Sequence, residues 1–424
     1  IIMLKIQNVF SILIASSFGF LALLVYIISF HRVRNSADFS SILRISRLGN
    51  VVLTQNSSRH WDLIRDRCHL HENNMVSCLP NVLFIGASKS GTTSLVYTLS
   101  QLRNVYFIKR RIHQKDKHKE VHRFDRNTFG WAIRSIELAD ELASAPLFPL
   151  ADLQQFNPAV IHYTPHYLYA PTVPFEMRRF YPHPEQLKFI VMLRDPVERA
   201  ISSYWFQNSH IFKGVNKGSK ADFLASAKLE ILLRKKYEDC MDAGLAKLNS
   251  SGSSNYLSHY VSLLSRHSSS KQTNITQPPC LHFPTNIIQD SNWDPLNRNH
   301  LERLTYGCFG GHLRSKQLGS RHIDKGVYVD QLLRWFSNFH PSQFIFLSLH
   351  QFSNDPIDTL GRLSQFLNLT FSTKEIKLER KLGKPNNLSD LQENKLSDPE
   401  LSFLRNFYKS YNRLVDAIYC KVPL

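Results

Sequence analysis

Apolar residues in this chain alternate between strand-length runs and helical spacing. Strand-length runs occur at Val82 to Ile85, Val105 to Ile108, Leu187 to Leu193 and Gln343 to Leu349. Between and after them the spacing lengthens to three or four residues. Leu95, Leu99 and Leu102 share one face of a helical stretch. Further helices are predicted over Ala221 to Cys240, Val327 to Phe339, Pro356 to Leu367 and Pro399 to Ile418, the last with Leu401, Leu404, Phe407, Tyr411 and Leu414 on its apolar side. Strands alternating with helices predict an α/β fold with a central parallel sheet.

Two regions fall outside this alternation. Val9 to Phe30 carries no charged residue; at about 1.5 Å rise per residue it is long enough to cross a ~30 Å hydrocarbon core. It lacks the shorter apolar core and small-residue cleavage site of a removed signal peptide. The reading is a short tail at 1–8, a transmembrane signal anchor at 9–30, a polar stem at 31–66 and one principal domain at 67–424. Within that domain, 249–277 is dominated by serine and reads as an inserted loop.

Composition adds a partner class and a compartment. A formal charge of +18 implies an anionic partner: nucleic acid, a membrane surface or an acidic polysaccharide. Arg32, Arg34, Arg44 and Arg47 beyond the apolar span would place the large domain in the cytosol by the positive-inside rule. Against that stand sequons at Asn56, Asn249, Asn274, Asn368 and Asn387, all C-terminal to the span. The six cysteines show no paired Cys-x-x-Cys spacing, so disulfides are expected in an oxidising compartment and no metal site is expected. Cys68 and Cys78 bracket a short loop and either pair locally or find other partners. Among Cys240, Cys280 and Cys308, around the serine-rich insertion, Cys240 with Cys308 is the first choice.

Candidate chemistry begins at Asn81 to Ser94. An apolar strand meets a turn of Gly86, Ser88, Lys89, Ser90 and Gly91, and a helix follows. Strand, small-residue loop and helix form a phosphate cradle, in which backbone N–H groups approach the anion and the helix N-terminus adds partial positive charge. A nucleoside-triphosphate loop places its lysine after the last glycine; here Lys89 precedes Ser90 and Gly91. A turn that merely caps the helix is the alternative. Further on, Lys119-Glu120-Val121-His122-Arg123-Phe124-Asp125 follows a basic cluster at 109–119 that either is solvated surface or lines the way in for an anionic acceptor. If this segment is extended, Glu120 and His122 project from the same side, an arrangement suited to taking a proton from a hydroxyl. Finally, Arg194-Asp195-Pro196 follows a buried-strand run. Proline just inside a helix start is favourable, so Arg194 stands at the strand's end and Ser202 about two turns into the helix.

Together these stretches carry a resemblance. Lys89-Ser90-Gly91-Thr92-Thr93 resembles the 5′-phosphosulfate loop of sulfotransferases. Glu120-x-His122 with its aromatic matches the element that supplies the catalytic glutamate in Golgi polysaccharide sulfotransferases of the heparan and chondroitin type. The undecapeptide Arg194 to Tyr204 looks like their 3′-phosphate site, and Val160 to Tyr167 occupies the place of a strand and a Thr-Pro-x-Tyr turn. Tyr328 to Trp335, Gln365 to Leu369 and Phe407 to Asn412 are most similar to N-acetylgalactosamine 4-sulfate 6-O-sulfotransferases. The resemblance implies a P-loop-like three-layer fold. It also implies transfer of a sulfuryl group from 3′-phosphoadenylyl sulfate to a hydroxyl of an acidic glycan in the Golgi lumen, without metal and without nucleic acid as partner.

In that scheme Glu120 is the base, supported by His122, and Lys89 faces the leaving oxygen. Ser90, Gly91, Thr92, Thr93 and Ser94 line the donor's 5′ end; Arg194 and Ser202 hold its 3′-phosphate; Lys381 or Lys384 contacts the donor. The chain departs from the pattern at Ala87-Ser88, at Lys384-Pro-Asn-Asn-Leu-Ser and at His162-Tyr163, where heparan enzymes often carry Glu-Lys. The histidine there either substitutes for that lysine or is simply packed. A heparan-type enzyme, an inactive membrane-anchored binder of acidic glycans and a nucleoside-triphosphate kinase are the other readings.

Overall fold

A computed structural model of the chain describes residues 67–108, 120–125, 142, 144–210, 218–246, 255–266, 294, 297–313, 321–369 and 395–418. All lie in the compact unit Asp62–Leu424. The expected anchor, stem, basic cluster at 109–119, Cys280, Cys420, Lys381 and Lys384 lie outside the described residues. Among those described, no helix is long and apolar enough to cross a membrane.

A small antiparallel sheet comes first, from β1 (Cys68–Leu70) and β2 (Met75–Cys78), later joined by β5. Cys68 faces Cys78 across the register and the two are disulfide-bonded, the local pairing of the two alternatives. The chain then enters β3 (Val82–Gly86), α1 (Thr92–Leu99), β4 (Val105–Phe107), β5 (Phe148–Pro149), α2 (Leu150–Phe156), β6 (Ala159–Tyr163), α3 (Val173–Phe180), β7 (Lys188–Leu193) and α4 (Pro196–His210). Helices α5 (Lys220–Ala246), α6 (Tyr256–Arg266), α7 (Arg298–Cys308) and α8 (Tyr328–Phe336) lead to β8 (Phe344–Ser348). Helices α9 (Leu349–Asn354), α10 (Pro356–Leu367) and α11 (Asp398–Ile418) follow.

The main sheet has five strands in the order β4-β6-β3-β7-β8, every neighbouring pair parallel, as the alternation predicts. Side chains on successive strand residues point to opposite faces, and the core divides accordingly. Leu83 and Ile85 of β3, Phe189, Val191 and Leu193 of β7, and Phe344 and Phe346 of β8 pack on one side with α3, α5, α8 and α11. Val82 and Phe84, Ile190 and Met192, and Ile345 and Leu347 pack on the other with α1 and α10. Two apolar faces need two helical layers, and the result is three layers.

Two expectations change. The serine-rich stretch 249–277 is not loop throughout, because α6 lies inside it. Tyr256, Leu257, Tyr260 and Leu264 recur at helical spacing and are buried, a stripe that the serine content obscures. The segment holding Glu120 and His122 is not an extended strand either; His122 has a left-handed backbone, φ 51°. The second expected disulfide, Cys240–Cys308, is present and ties α5 to α7.

Candidate active site

Parallel strands bring their C-terminal ends to one edge, and ligands of open α/β sheets bind there. β3 delivers the loop at 87–91, β6 the turn at 164–167 and β7 Arg194. At the end of β3, a Cβ on Gly86 would lie 2.6 Å from Leu168 Cβ and 2.9 Å from the Pro165 carbonyl oxygen, so glycine lets loop and turn touch. Gly91 has φ +79° and faces Leu349 so closely that a Cβ would meet its Cδ1 at 2.4 Å. Helix α1 starts after it with no side-chain cap. Its first N–H groups are therefore open to an anion.

Cations gather at that helix start. Burial, then the charge of Arg194, draws the Lys89 ammonium down to about 8; Glu120 pulls the other way, and Arg199 adds a smaller downward pull. Arg194 Nη1 comes within 3.5 Å of the Lys89 carbonyl oxygen, and its Nε donates to Glu198 at 3.1 Å. Asp195 caps α4, its Oδ1 accepting from the Glu198 N–H at 2.9 Å. Tyr328 of α8 donates to the Arg194 carbonyl at 3.0 Å and fixes the residue from below. Ser202 lies partly buried two turns into α4, on the helix that Arg194 precedes. An uncapped helix start flanked by Lys89 and Arg194 is a donor set that fits a nucleotide phosphosulfate. Of the residues around it, Ser90 N–H donates to the Ala87 carbonyl at 3.2 Å and Ser94 N–H to the Gly91 carbonyl at 3.1 Å, and Thr93 is exposed.

The acid–base side is built without regular structure. Val121 and His122 donate their N–H groups to Thr164 Oγ1 at 3.2 and 3.1 Å. Arg123 and Phe124 donate theirs to the Tyr167 hydroxyl at 2.7 and 3.2 Å. The Thr-Pro-His-Tyr turn after β6 thus supplies what a neighbouring strand would supply. Held this way, Glu120 Oε2 lies 2.7 Å from His122 Nε2, and His122 Nδ1 lies 2.7 Å from Asp125 Oδ2. Asp125 is fully buried and also accepts from His166 Nδ1 at 3.0 Å.

Burial alone would lower His122, but hydrogen bonds and charge from Asp125 and Glu120 overcome it and push the imidazole up to about 9. Burial likewise opposes the charge on Asp125, yet the two histidines hold it well below the usual carboxylate range. His166, deeper, is drawn down to about 4 by burial and stays neutral. At neutral pH the order inward from Glu120 is imidazolium, carboxylate, neutral imidazole. Glu120, with its side chain 39% exposed, is the most exposed member, ahead of His122 at 29%.

The structure brings together Lys89, Glu120, His122 and Arg194. Sequence reasoning missed Asp125, His166 and Tyr163 as members of the site. The signals were available: Asp125 lies three residues after His122, and His166 lies inside the Thr-Pro-His-Tyr turn. The Tyr163 hydroxyl bonds Thr92 Oγ1 at 3.1 Å and Thr93 Oγ1 at 3.5 Å. Burial, then the Glu120 charge, pushes its phenol up to about 12. His162, left open between two roles, is a packed residue: fully buried, with Nε2 2.9 Å from the Tyr167 hydroxyl. Among the described residues no cluster of His, Cys, Asp and Glu could hold a metal ion.

No family model matches the chain. Its sequence is similar to the membrane-associated sulfotransferase kil1 of Dictyostelium discoideum, 23% identical over 348 residues. The match takes in 79% of this chain and 64% of that protein, so the chain spans less than two thirds of its relative. Two solved structures also align with it. A sulfotransferase from Alicyclobacillus acidocaldarius is 18% identical, covering 80% of this chain and 94% of that one, with a TM-score of 0.41. The sulfotransferase domain from the curacin biosynthetic pathway is 9% identical, covering 79% and 98%, with a TM-score of 0.31. At such scores the architecture rests on this chain's own strand order and register. The sequence likeness is to sulfotransferases as a class and does not narrow to a branch.

Proposed function

We propose that the chain is a sulfotransferase that moves a sulfuryl group from 3′-phosphoadenylyl sulfate to a hydroxyl of an acidic glycan, of chondroitin or dermatan type. The observation that carries this reading is the meeting of two assemblies at one sheet edge. The cationic helix start of Lys89 and Arg194 stands close enough to the Glu120 relay for the Glu120 charge to act on Lys89. Glu120 takes the proton of the attacking hydroxyl. The new bond forms between that oxygen and sulfur, while the bond from sulfur to the 5′-phosphate oxygen breaks. Charge appearing on that oxygen is met by Lys89 and the first N–H groups of α1. Arg194 and Ser202 hold the 3′-phosphate and set the donor's register. His122, held charged by Asp125, orients Glu120; it does not take the proton itself. No step uses a metal.

The same reading makes it a single-pass type II protein of the Golgi membrane with its catalytic domain lumenal. The apolar span at 9–30, the sequons, the Cys68–Cys78 and Cys240–Cys308 disulfides and the membrane-associated relative support that placement. The net charge of +18 supports an acidic polysaccharide as acceptor. The test is incubation of the purified full chain with sulfur-labelled donor and a panel of native and desulfated glycans, followed by disaccharide mapping. Label on a chondroitin-type hydroxyl supports the reading; label on heparan products moves the acceptor class. Glycan binding with no donor binding would establish a non-catalytic binder instead.

A further inference from the structure

Phe206 lies on α4, one turn beyond Ser202, and is 43% exposed. A single exposed aromatic needs no explanation by itself. Its neighbour does: the Lys89 ammonium lies 3.5 Å from the centroid of the Phe206 ring, well within the ~6 Å reach of a cation–π contact. Lys89 itself has a left-handed backbone, φ 69°, at the turn of the phosphate loop. Among the described residues no carboxylate forms an ion pair with it, while Arg194 and Arg199, from the end of β7 and from α4, act against its charge and Glu120 acts for it.

We propose that Phe206 is a positioning residue for Lys89, its ring face holding the ammonium, in the charged form, at the mouth of the phosphate loop. The role rests on the sulfuryl-transfer reading, because only a protonated Lys89 can meet charge on a leaving oxygen. A ring quadrupole attracts the cation and does nothing comparable for the neutral amine. The ring therefore offsets the burial and the two arginines that favour losing the proton. The same helix presents Ser202, so α4 couples recognition of the donor's 3′ end to the placement of the lysine at its 5′ end. Leucine would keep the bulk and remove the quadrupole; tyrosine would keep the ring face.

The experiment uses the full chain with lysine carbon-13-labelled at Cε, the Lys89 signal being assigned by its loss in Lys89→Arg. In the wild type and in Phe206→Tyr, that signal is expected at the upfield position imposed by a ring face. In Phe206→Leu it moves to the ordinary lysine position and titrates at a pH lower by about one. In the transfer assay, Phe206→Leu loses kcat about fivefold at pH 8 and less at pH 6.5. Its donor KM stays within about twofold and Phe206→Tyr restores the rate, since that loss corresponds to the same shift in protonation. An unchanged Lys89 signal and midpoint in Phe206→Leu overturns the proposal, and so does an equal loss in both variants at every pH. If the wild type transfers no sulfate, the functional reading falls, and the resonance measurement still decides whether the ring holds the lysine.

Discussion

In the proposed reaction Glu120 and Lys89 act from opposite ends, and their neighbours set the conditions under which each would work. Glu120→Gln removes the proton acceptor without changing shape. It is expected to lower turnover at least a hundredfold while binding of adenosine 3′,5′-bisphosphate, followed by calorimetry, stays near wild type; loss of both would mean a structural role. Lys89, drawn to about 8, loses its proton as the solution becomes alkaline, so the rate of sulfate transfer should fall as pH rises through that value. Asp125→Asn tests the relay through stability. The imidazole of His122 is raised to about 9, so its contribution is fully present below about 6.5, its unfolded value, and is lost as pH rises through 9. Asp125 is depressed, and its contribution is lost only as pH falls below the carboxylate range. Chemical unfolding should therefore show Asp125→Asn destabilised by about 1–3 kcal/mol near pH 6, with the gap closing toward pH 9.

Among the helices, α5 and α8 are joined by charge as well as by apolar contact. Arg234 donates to Asp330 at 3.1 Å, to Asp324 at 3.2 Å and to Tyr256 at 2.6 Å, and Arg334 also pairs with Asp330. All of these side chains are buried. Such a network adds little net stability when complete, but removing one partner leaves an uncompensated buried charge. Asp330→Ala leaves the buried Arg334 without its carboxylate, while Arg234 keeps Asp324 and Glu238, and is expected to cost about 3–5 kcal/mol in urea unfolding. Cys240–Cys308 constrains the same region, closing a separation of 68 residues. Paired Cys→Ala changes there should cost up to about 4 kcal/mol by the loop-entropy relation, far more than any surface change nearby.

For the whole molecule the useful distinction is which nucleotide stabilises it. A ligand that binds only the folded chain at a hundred times its Kd adds about 2.7 kcal/mol. Adenosine 3′,5′-bisphosphate should therefore raise the thermal midpoint by several degrees, whereas magnesium ATP should not. The reverse result would revive the kinase reading. Binding of the glycan to a chain of charge +18 should weaken as salt is raised, because screening shortens the reach of exposed charge.

Local rules carried the reading a long way. Strand runs, helical stripes, Pro196 at a helix start and the position of Lys89 before Ser90-Gly91 depend on short-range sterics and periodicity, and each is legible along the chain. So were Lys89 and Arg194, because parallel strands gather their C-terminal ends by topology alone; Glu120 was marked only by its Lys-Glu-x-His spelling, and a turn, not a strand end, holds it. The relay was not legible. His166 sits in a turn 41 positions after Asp125, and no periodicity links a coil segment to the turn that holds it. The helix at Tyr256–Arg266 was hidden because its stripe matters only against the buried partners that fold over it. Phe206 and Lys89, 117 positions apart, meet only because β7 lies beside β3. Sequence by itself set the elements and the chemistry each could offer. Tertiary packing set which groups are charged, since burial and neighbouring charge exist only once the chain has folded.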